Sequence, residues 1–409
     1  MSDSPKTDSP KKIVLAYSGG LDTSVILPWL KDRHPGCEVV AFAAELGQGS
    51  ELEGVEKKAR ESGADDVIVA DLREEFARDY CYPMVRAHAT YERDYLLGTS
   101  IARPLIAAKQ VEAARQCGAD AVAHGATGKG NDQVRFELTF MALAPDLKII
   151  SPWKDPTFEL RDREAAVEYA KEKDVPIPVS KEKIYSQDRN LWHISHEGAE
   201  IEDPAAEPNW ARCLTMTKPI EETPDEQERV TIRFEAGNAT HVNGEALSPA
   251  ALIAKLNDLA GAHGIGVKLL IENRLVGMKS RGVYETPGGT ALYAAHNALE
   301  QLVLERDLFQ AKQKVSLDYA RLVYNGQWFH PLRDALQAFV DESQKVVTGE
   351  VTLSFYKGTC DAIAVSSPHS LYDPELASFS MEGYDVTAAR GFIDCFGLPM
   401  KVAGMRARR

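Results

Sequence analysis

The most chemically informative residues of the chain are residues 16–24, which read AYSGGLDTS. Apolar runs on both sides favour a buried strand before them and a helix that begins inside them. Gly19 and Gly20 would let the backbone approach a ligand closely, because neither has a Cβ. The first amides of a helix lack intrahelical partners and favour an anion, while Ser18, Thr23 and Ser24 add hydroxyl donors. We call residues 16–24 the cradle, and its composition predicts a phosphate site.

The cradle differs from the two commonest nucleotide-binding motifs. A P-loop needs a lysine followed by Ser or Thr, and the dinucleotide fingerprint needs a third glycine that this run lacks. The order Ser-Gly-Gly, any residue, Asp, then Ser or Thr resembles the pyrophosphate-binding loop of the N-type ATP pyrophosphatases. Those enzymes cleave ATP between the α and β phosphates and adenylate a substrate oxygen. The plainer interpretation is a glycine turn, but paired glycines, a carboxylate and hydroxyls together favour the phosphate site.

A second informative run covers residues 124–137, HGATGKGNDQVRFE. A helix beginning at Asn131 or Asp132 would place Asn131 and Arg135 on one face, because they are four residues apart. An amide beside a guanidinium suits an amino-acid or ureido ligand, since arginine holds carboxylates bidentately, and Asp132 could hold an ammonium. The alternative is an amphipathic helix with solvated charges. A P-loop is rejected here, because Gly130 stands where a hydroxyl is required.

Both runs fall at the ends of predicted strands in the first 176 residues, where strands and helices alternate. Apolar strands are expected near residues 12–15, 38–44, 67–70, 121–124 and 148–150. A helix is expected over 52–62, and another, with Pro104 in its first turn, is expected to run to Cys117. Such alternation predicts a doubly wound parallel sheet, an α/β fold. Ligands bind beyond the carboxyl ends of its strands, where both runs would meet.

The rest of the chain has a different texture. Residues 175–224 are rich in Pro, Asp, Glu and Ser and are expected to be mostly loop. A hairpin turn at Asn243, a helix capped by Ser248, helices over 289–346 and a hairpin turning at Lys357 predict a second, α+β domain. From Leu371 the chain would suit an arm lying against another subunit. The expected domains are 11–176 for nucleotide binding, 177–370 for the synthetase part and 371–409 for an oligomerisation arm.

Composition narrows the class of protein. The 409 residues are 44% hydrophobic and 26% charged, as in globular proteins, and the net charge of −14 argues against a nucleic-acid partner. Six scattered cysteines without a Cys-x-x-Cys pair favour reduced thiols, no zinc site and no disulfide framework. The polar start and the absence of a long apolar run predict a cytoplasmic protein with no membrane contact. His193 and His196 are weak evidence for a metal and are interpreted as structural.

Further stretches extend the resemblance to one family, that of the argininosuccinate synthases. They are 95–104 (YLLGTSIARP), 186–195, 272–274 (ENR) and 277–287 (GMKSRGVYETP), and the resemblance covers about residues 12–402. The family's roles then fall on particular positions. The resemblance implies ATP contacts by Ala16, Tyr17, Ser18, Gly19, Gly20, Leu21, Asp22, Thr23, Ser24, Ala44 and Gly125. It implies citrulline contacts by Tyr95, Ser100, Asn131, Arg135, Ser186, Ser195, Glu272 and Tyr284, and aspartate contacts by Thr127, Asn131 and Asp132.

The reaction that the resemblance implies has two steps. The ureido oxygen of citrulline attacks the α-phosphate of ATP and expels pyrophosphate, and the amine of aspartate then displaces AMP to give argininosuccinate. Ser18, Asp22 and Thr23 are the expected catalytic residues, and Asp22 is a candidate contact for Mg²⁺. No side chain is an obvious general base, and no resident metal site is expected. The family is tetrameric, so a homotetramer is expected.

Three other functions are compatible with a phosphate-binding cradle. Asparagine, GMP and NAD synthetases use ammonia and bring a glutaminase, but no amino-terminal cysteine nucleophile is present here. A tRNA-thiolating enzyme would need a Cys-x-x-Cys pair and a basic face, and this sequence has neither. A non-catalytic nucleotide sensor would keep the cradle without needing Asn131, Arg135, Glu272 and Tyr284.

Overall fold

Three β-sheets organise the chain. The computed structural model describes residues 9–128, 130–160, 163–176, 184–377 and 385–408. The boundary expected between the first two domains adjoins residues 177–183, which lie outside the described residues. Within the described ranges, no helix has both the length and the apolar character needed to cross a bilayer.

The first sheet is parallel and confirms the predicted doubly wound α/β fold. Its strands are β1 (Lys12–Ala16), β2 (Glu38–Glu45), β3 (Asp66–Asp71), β4 (Ala121–Ala123) and β5 (Lys148–Ile150). They lie side by side in the order β3-β2-β1-β4-β5. The strand order therefore reverses at β1, and a crevice at such a switch point is where ligands bind in this class of sheet.

Helices cover both faces of this sheet. They are α1 (Leu21–Arg33), α2 (Val55–Glu61), α3 (Arg73–Glu75), α4 (Tyr82–Ala87), α5 (Gly98–Cys117), α6 (Asp132–Leu143) and α7 (Arg163–Glu172). Ile26 and Ala59 bring α1 and α2 into a core on one face. Leu105 and Phe140 bring α5 and α6 into the core on the other, which continues into the second half of the chain. Burial on both faces explains the nearly unbroken apolar runs of β1 and β2.

Two expected helices have different bounds. The helix expected over 52–62 is a 3₁₀ turn, Gly49–Leu52, followed by α2, because Gly54 adopts φ +69° and breaks the helical path. The helix expected to have Pro104 in its first turn begins at Gly98, six residues before that proline. The added turns are stabilised by burial, since Thr99, Ser100, Ile101 and Ala102 are all buried.

The second half of the chain contains two antiparallel sheets. Its strands are β6 (Ser186–Arg189), β7 (Ile194–Glu197), β8 (Glu228–Glu235), β9 (Asn238–Val242), β10 (Glu245–Ala246), β11 (Val267–Asn273), β12 (Lys279–Glu285), β13 (Gly349–Tyr356) and β14 (Thr359–Ser366). One sheet has the order β10-β9-β8-β13-β14, and the other has the order β11-β12-β7-β6. The predicted turns at Asn243 and Lys357 are confirmed, and both residues adopt positive φ, as a tight hairpin requires.

The expectation of a mostly looped segment over 175–224 is wrong where β6 and β7 form. Their residues, SQDR and ISHE, show no clean alternation of polar and apolar side chains. They form strands because β7 pairs with β12, which is about 90 residues away in the chain. Ser186 and Ser195, expected in a loop, therefore lie on strands, and β11 and β12 were not predicted.

The remaining helices complete the second half. They are α8 (Trp210–Cys213), α9 (Pro249–Ala262), α10 (Pro287–Val303), α11 (Arg306–Tyr324), α12 (Pro331–Gln344), α13 (Pro374–Ala377), α14 (Val386–Phe396) and α15 (Leu398–Arg406). The predicted cap is confirmed, since Ser248 accepts a hydrogen bond from the amide of Ala251. After Leu371 large apolar side chains are exposed, and Phe396 is 75% accessible.

Candidate functional site

The cradle links β1 to α1 at the switch point of the parallel sheet. β1 ends at Ala16, Gly19 adopts φ +77°, and Gly20 caps α1. A Cβ on Gly19 would lie 3.4 Å from Cγ2 of Val55, so the turn packs closely against the start of α2. The first amides of α1 therefore lie at this turn, and a helix N-terminus in such a position can bind an anion.

The hydroxyls of the cradle have two kinds of position. Ser24 is fully buried, donates to the Gly20 carbonyl over 2.8 Å and lies 2.9 Å from the hydroxyl of Tyr17, so it holds the turn together. Ser18 is exposed, and its hydroxyl lies 3.1 Å from that of Thr23. Asp22 is exposed in the first turn of α1. Ser18, Asp22 and the loop amides are therefore the groups that a bound anion or its counterion can reach.

Two more residues of the expected ATP set lie beside the cradle. Ala44 is near the carboxyl end of β2, the strand that pairs with β1. Gly125 follows β4 on the other side of β1. A Cβ on Gly125 would lie 3.0 Å from the Thr23 methyl group, so this glycine permits close contact between the two loops. The structure thus brings the two informative runs together.

A cluster of buried polar side chains lies across α5, the segment just before it, β11 and β12. We call Tyr95, Ser100, Glu272 and Tyr284 the amino-acid cluster. The hydroxyl of Tyr284 donates to Oε1 of Glu272 over 3.1 Å, and the rings of Tyr95 and Tyr284 are 4.8 Å apart. The Tyr284 ring lies over Gly282, where a Cβ would stand 3.0 Å from it.

The electrostatics of this cluster suit a polar ligand. Burial raises the pKa of Glu272 above its ordinary value of 4.5. Burial, and then the nearby Glu272 carboxylate, raises the pKa of Tyr95 and of Tyr284, so both phenols stay protonated as donors. Oε2 of Glu272 and Oγ of Ser100 are buried and have no hydrogen-bond partner of good geometry in the described part of the chain. Unpaired polar atoms at buried positions are costly, which is the expected mark of a site that a ligand completes.

Helix α6 connects the cradle to the amino-acid cluster, and one tyrosine that the sequence did not single out holds its first turn. The Asn131 amide donates to the hydroxyl of Tyr324 over 2.8 Å and accepts from the Leu275 amide over 2.8 Å. Arg135, which is 4% exposed, donates to the Tyr324 carbonyl from Nε over 3.3 Å and from Nη2 over 3.1 Å. Gly326 makes this possible, because a Cβ there would lie 2.8 Å from Cα of Arg135.

Asp132 lies between two arginines. Its Oδ1 accepts from Arg135 over 2.9 Å, and its Oδ2 accepts from Arg103 over 2.8 Å. Burial opposes ionisation, but the two guanidinium groups outweigh it and lower the pKa of Asp132. Arg103 also donates to Asp188, which places β6 beside α5. Arg103 was not predicted as a site residue, because its partners are 29 and 85 residues away in the chain.

Three residues expected to contact citrulline or aspartate lie at the edge of the site. Ser195 is buried on β7 directly opposite Tyr284, and so belongs beside the amino-acid cluster. Ser186 is exposed at the start of β6, opposite Glu197, and makes no side-chain hydrogen bond to the amino-acid cluster within the described ranges. Thr127 is exposed in the loop before α6.

The two histidines that could have suggested a metal have protein partners. Nε2 of His193 lies 3.0 Å from the hydroxyl of Thr99, and Nε2 of His196 lies 2.7 Å from Glu285. Burial lowers the pKa of His193 to about 4, so the ring is neutral near pH 7. Among the residues that the structure describes, no group of three or more His, Cys, Asp or Glu side chains is placed to hold a metal ion.

Family models match both halves of the chain. The family model described as "Arginosuccinate synthase N-terminal HUP domain" matches residues 12–176, and the model described as "Arginosuccinate synthase C-terminal domain" matches residues 185–403.

Full-length relatives are similar over both halves. The argininosuccinate synthase of Carboxydothermus hydrogenoformans is 57% identical over 97% of this chain and 98% of its own. The argininosuccinate synthase of Pelotomaculum thermopropionicum is 56% identical over 97% of this chain and 98% of its own. The chloroplastic argininosuccinate synthase of Arabidopsis thaliana is 55% identical over 97% of this chain and 80% of its own. With both halves matched in this way, the chain belongs to the argininosuccinate synthase family.

Proposed function

We propose that the crevice between the cradle and the amino-acid cluster joins L-citrulline to L-aspartate at the expense of ATP, releasing argininosuccinate, AMP and pyrophosphate. One observation carries this proposal. Gly125 packs against Thr23 of the cradle, and seven residues later α6 begins, with Asn131 at its N-cap and Arg135 in its first turn both hydrogen-bonded to Tyr324. The guanidinium of Arg135 is also near enough to Glu272 of the amino-acid cluster to act on its charge. A phosphate site and a site for a polar amino acid thus share one helix and its preceding loop.

In the first step, the ureido oxygen of citrulline attacks the α-phosphorus of ATP. A phosphorus–oxygen bond forms, and the bond to the β-phosphate breaks, so citrullyl-AMP is made and pyrophosphate leaves. The cradle is well suited to this step, because its amides and hydroxyls are fixed donors for the charge that develops on the leaving group. Ala16, Leu21 and Ala44 would contribute shape and backbone contacts around the nucleotide.

The amino-acid cluster would orient citrulline for that attack. Oε2 of the buried Glu272 carboxylate can accept a hydrogen bond, and the hydroxyls of Tyr95 and Ser100 can donate one each. The Tyr284 hydroxyl, which donates to Glu272, can still accept. Arg135 still has N–H groups beyond the three that its protein partners use, and these could bind the citrulline carboxylate. Ser195 and Ser186 would contact citrulline from β7 and β6.

In the second step, the amine of aspartate attacks the activated ureido carbon, and its proton passes to a phosphate oxygen of the departing AMP. A carbon–nitrogen bond forms as the carbon–oxygen bond to AMP breaks. Thr127, Asn131 and Asp132 lie in the loop and first turn that join the cradle to the amino-acid cluster, which supports a role for them in binding aspartate. Asp132 stays ionised and can attract an ammonium group, since its two oxygens retain lone pairs beside the arginines.

Mg²⁺ fits this arrangement as a companion of the nucleotide. Asp22 is an exposed carboxylate in the first turn of α1, and Mg²⁺ is commonly held by one or two carboxylates together with phosphate oxygens and water. When bound, the ion would neutralise phosphate charge. Asp22 would hold it, with Ser18 and Thr23 beside it.

The domain division and the assembly of the chain are further parts of this proposal. We propose the divisions 11–176, 177–370 and 371–409, with the last acting as an arm in a homotetramer. The arm's large side chains support this, because Phe392, Ile393 and Phe396 are 66, 63 and 75% exposed. All six cysteines are free, which fits a reducing cytoplasm. Light scattering of the full chain tests the assembly, and a monomer at micromolar concentration would refute it.

An omission assay tests the proposed reaction. Pyrophosphate release is measured with ATP and citrulline, with aspartate present or absent, and with ammonia replacing aspartate. We expect release to need citrulline, and continuous turnover to need aspartate as well. Release that is independent of citrulline, or turnover with ammonia alone, would overturn the proposal.

A further inference from the structure

A lysine outside the cradle reaches into it from α2. Nζ of Lys58 donates a hydrogen bond to the carbonyl of Gly19, 39 residues earlier in the chain. α2 is held against the cradle by Val55, which is buried and lies under Gly19. The ammonium group is therefore placed at the turn where the proposed function puts the phosphates.

Lys58 is set apart from the cations around it. Lys57 is exposed and lies 3.7 Å from Glu61, while Arg60 lies 3.2 Å from Glu56 and 3.3 Å from Asp66. Lys58 is half-buried, and no ion pair joins it to any carboxylate that the structure describes. Burial lowers its pKa, with no compensating carboxylate, so its charge is incompletely neutralised in the free protein.

The Gly19 carbonyl satisfies only part of the hydrogen-bonding capacity of the Lys58 ammonium group. Lysine has three N–H donors, and the Gly19 carbonyl takes one of them. A compact ammonium that keeps free donors beside an anion site is well suited to bind phosphate oxygens. The carbonyl contact would hold the side chain in place until a phosphate arrives.

The cradle needs a positive group that its own sequence does not contain. Residues 16–24 include no lysine or arginine, and their charged member, Asp22, is negative. When the bond between the α and β phosphates breaks, negative charge builds up on the departing pyrophosphate. Amide dipoles and hydroxyls stabilise this charge better when a cation lies beside them. In a P-loop that lysine belongs to the loop itself.

We propose that Lys58 binds the β and γ phosphates of ATP and the departing pyrophosphate, and so supplies from α2 the positive charge that the cradle lacks. This inference rests on the proposed function and adds a residue to it. It also explains why Gly19 must approach α2 closely, since that contact brings the ammonium to the turn.

Titration of the full chain with inorganic pyrophosphate, and separately with AMP, tests this role. We expect Lys58→Gln to weaken pyrophosphate binding by about 10- to 100-fold, the usual range for one charge-assisted contact, while AMP and citrulline affinities stay unchanged. Lys58→Arg should recover part of the loss. Lys57→Gln is the matched control on the neighbouring position and should bind pyrophosphate normally.

Two results would overturn the inference. If Lys58→Gln binds pyrophosphate like the parent chain, the lysine does not contact the phosphates. If pyrophosphate and AMP affinities fall equally, Lys58 orders the turn and does not bind phosphate. Citrulline-dependent pyrophosphate release by the parent chain is measured separately. If the role of Lys58 is refuted, that assay still tests the proposed function on its own. The thermal midpoint of each variant reports whether it is folded.

Discussion

The cradle and the amino-acid cluster are built in opposite ways. The cradle is nine consecutive residues, and its donors are mostly backbone amides and short hydroxyls held by bonds within the turn. The amino-acid cluster takes its side chains from α5, the segment just before it, β11 and β12, and it depends on α6, β7 and α11 for support. Backbone geometry should thus control nucleotide binding, and individual side chains should control citrulline binding.

The largest effect should come from changing the backbone of the cradle. Gly19→Val places a β-branched residue at φ +77° and fills the space beside Val55. We expect turnover to fall by at least about 100-fold, because misplacing reacting groups by an ångström has effects of that size. Citrulline-dependent pyrophosphate release measures it.

Gly36→Val is the matched control for backbone strain. Gly36 has φ +83°, and a Cβ there would meet nothing within 4 Å. This variant should lose some stability and keep its activity. Full activity in Gly19→Val, or equal losses in both variants, would contradict the role of the cradle.

The next largest effect should come from the guanidinium on α6. Arg135→Leu should weaken citrulline binding by about 100-fold, since a charge-assisted contact contributes roughly 1.5–3 kcal/mol and Asp132 also loses a partner. ATP affinity should persist. Isothermal titration calorimetry measures both, with Arg115→Leu, an exposed position paired with Asp146, as the control. Unchanged citrulline affinity, or an equal loss of ATP affinity, would show that the two parts are not separable.

A smaller effect should follow from pH. The pKa of Glu272 is raised by burial, so its carboxyl group takes up a proton at a higher pH than an ordinary glutamate does. Lowering the pH from neutrality should then protonate this acceptor for citrulline earlier than it would an ordinary glutamate, and so raise the KM for citrulline while the KM for ATP stays nearly constant. Glu272→Gln should abolish this pH dependence. A KM for citrulline that stays flat in the parent chain would remove Glu272 from the site.

The smallest effect should come from the glycine that supports Arg135. Gly326→Ala puts a Cβ 2.8 Å from Cα of Arg135 at a residue with φ +75°, which should cost about 1–3 kcal/mol of unfolding free energy and raise the KM for citrulline a few-fold. Gly244→Ala has φ +80° but open space around it. It should lose stability alone, and a similar rise in KM there would argue against the contact with Arg135.

The same contrast explains how much the sequence could predict. The strand, turn and helix of the cradle are contiguous, so their residues could be recognised together, and the start of α6 at Asp132 followed from its local pattern. Tyr324 and Gly326 were missed, because they meet Arg135 only after folding, about 190 residues along the chain. β11 and β12 were missed because neither alternates as a half-buried strand does. In β11 the apolar Leu269 and Ile271 are exposed, and β12 begins with polar residues, so the pairing of the two strands became evident only in the structure. Glu272 and Tyr284 were thus expected from resemblance, and their hydrogen bond needed the structure.

The fate of the ureido oxygen tests the central claim most directly. Citrulline carrying a heavy oxygen isotope at the ureido position is incubated with the full chain, ATP and aspartate, and the products are examined by mass spectrometry. If the cradle presents the α-phosphorus to citrulline, the heavy oxygen leaves in AMP. Unlabelled AMP together with labelled pyrophosphate or labelled water would contradict the account, because the bond formed in the crevice would then be a different one.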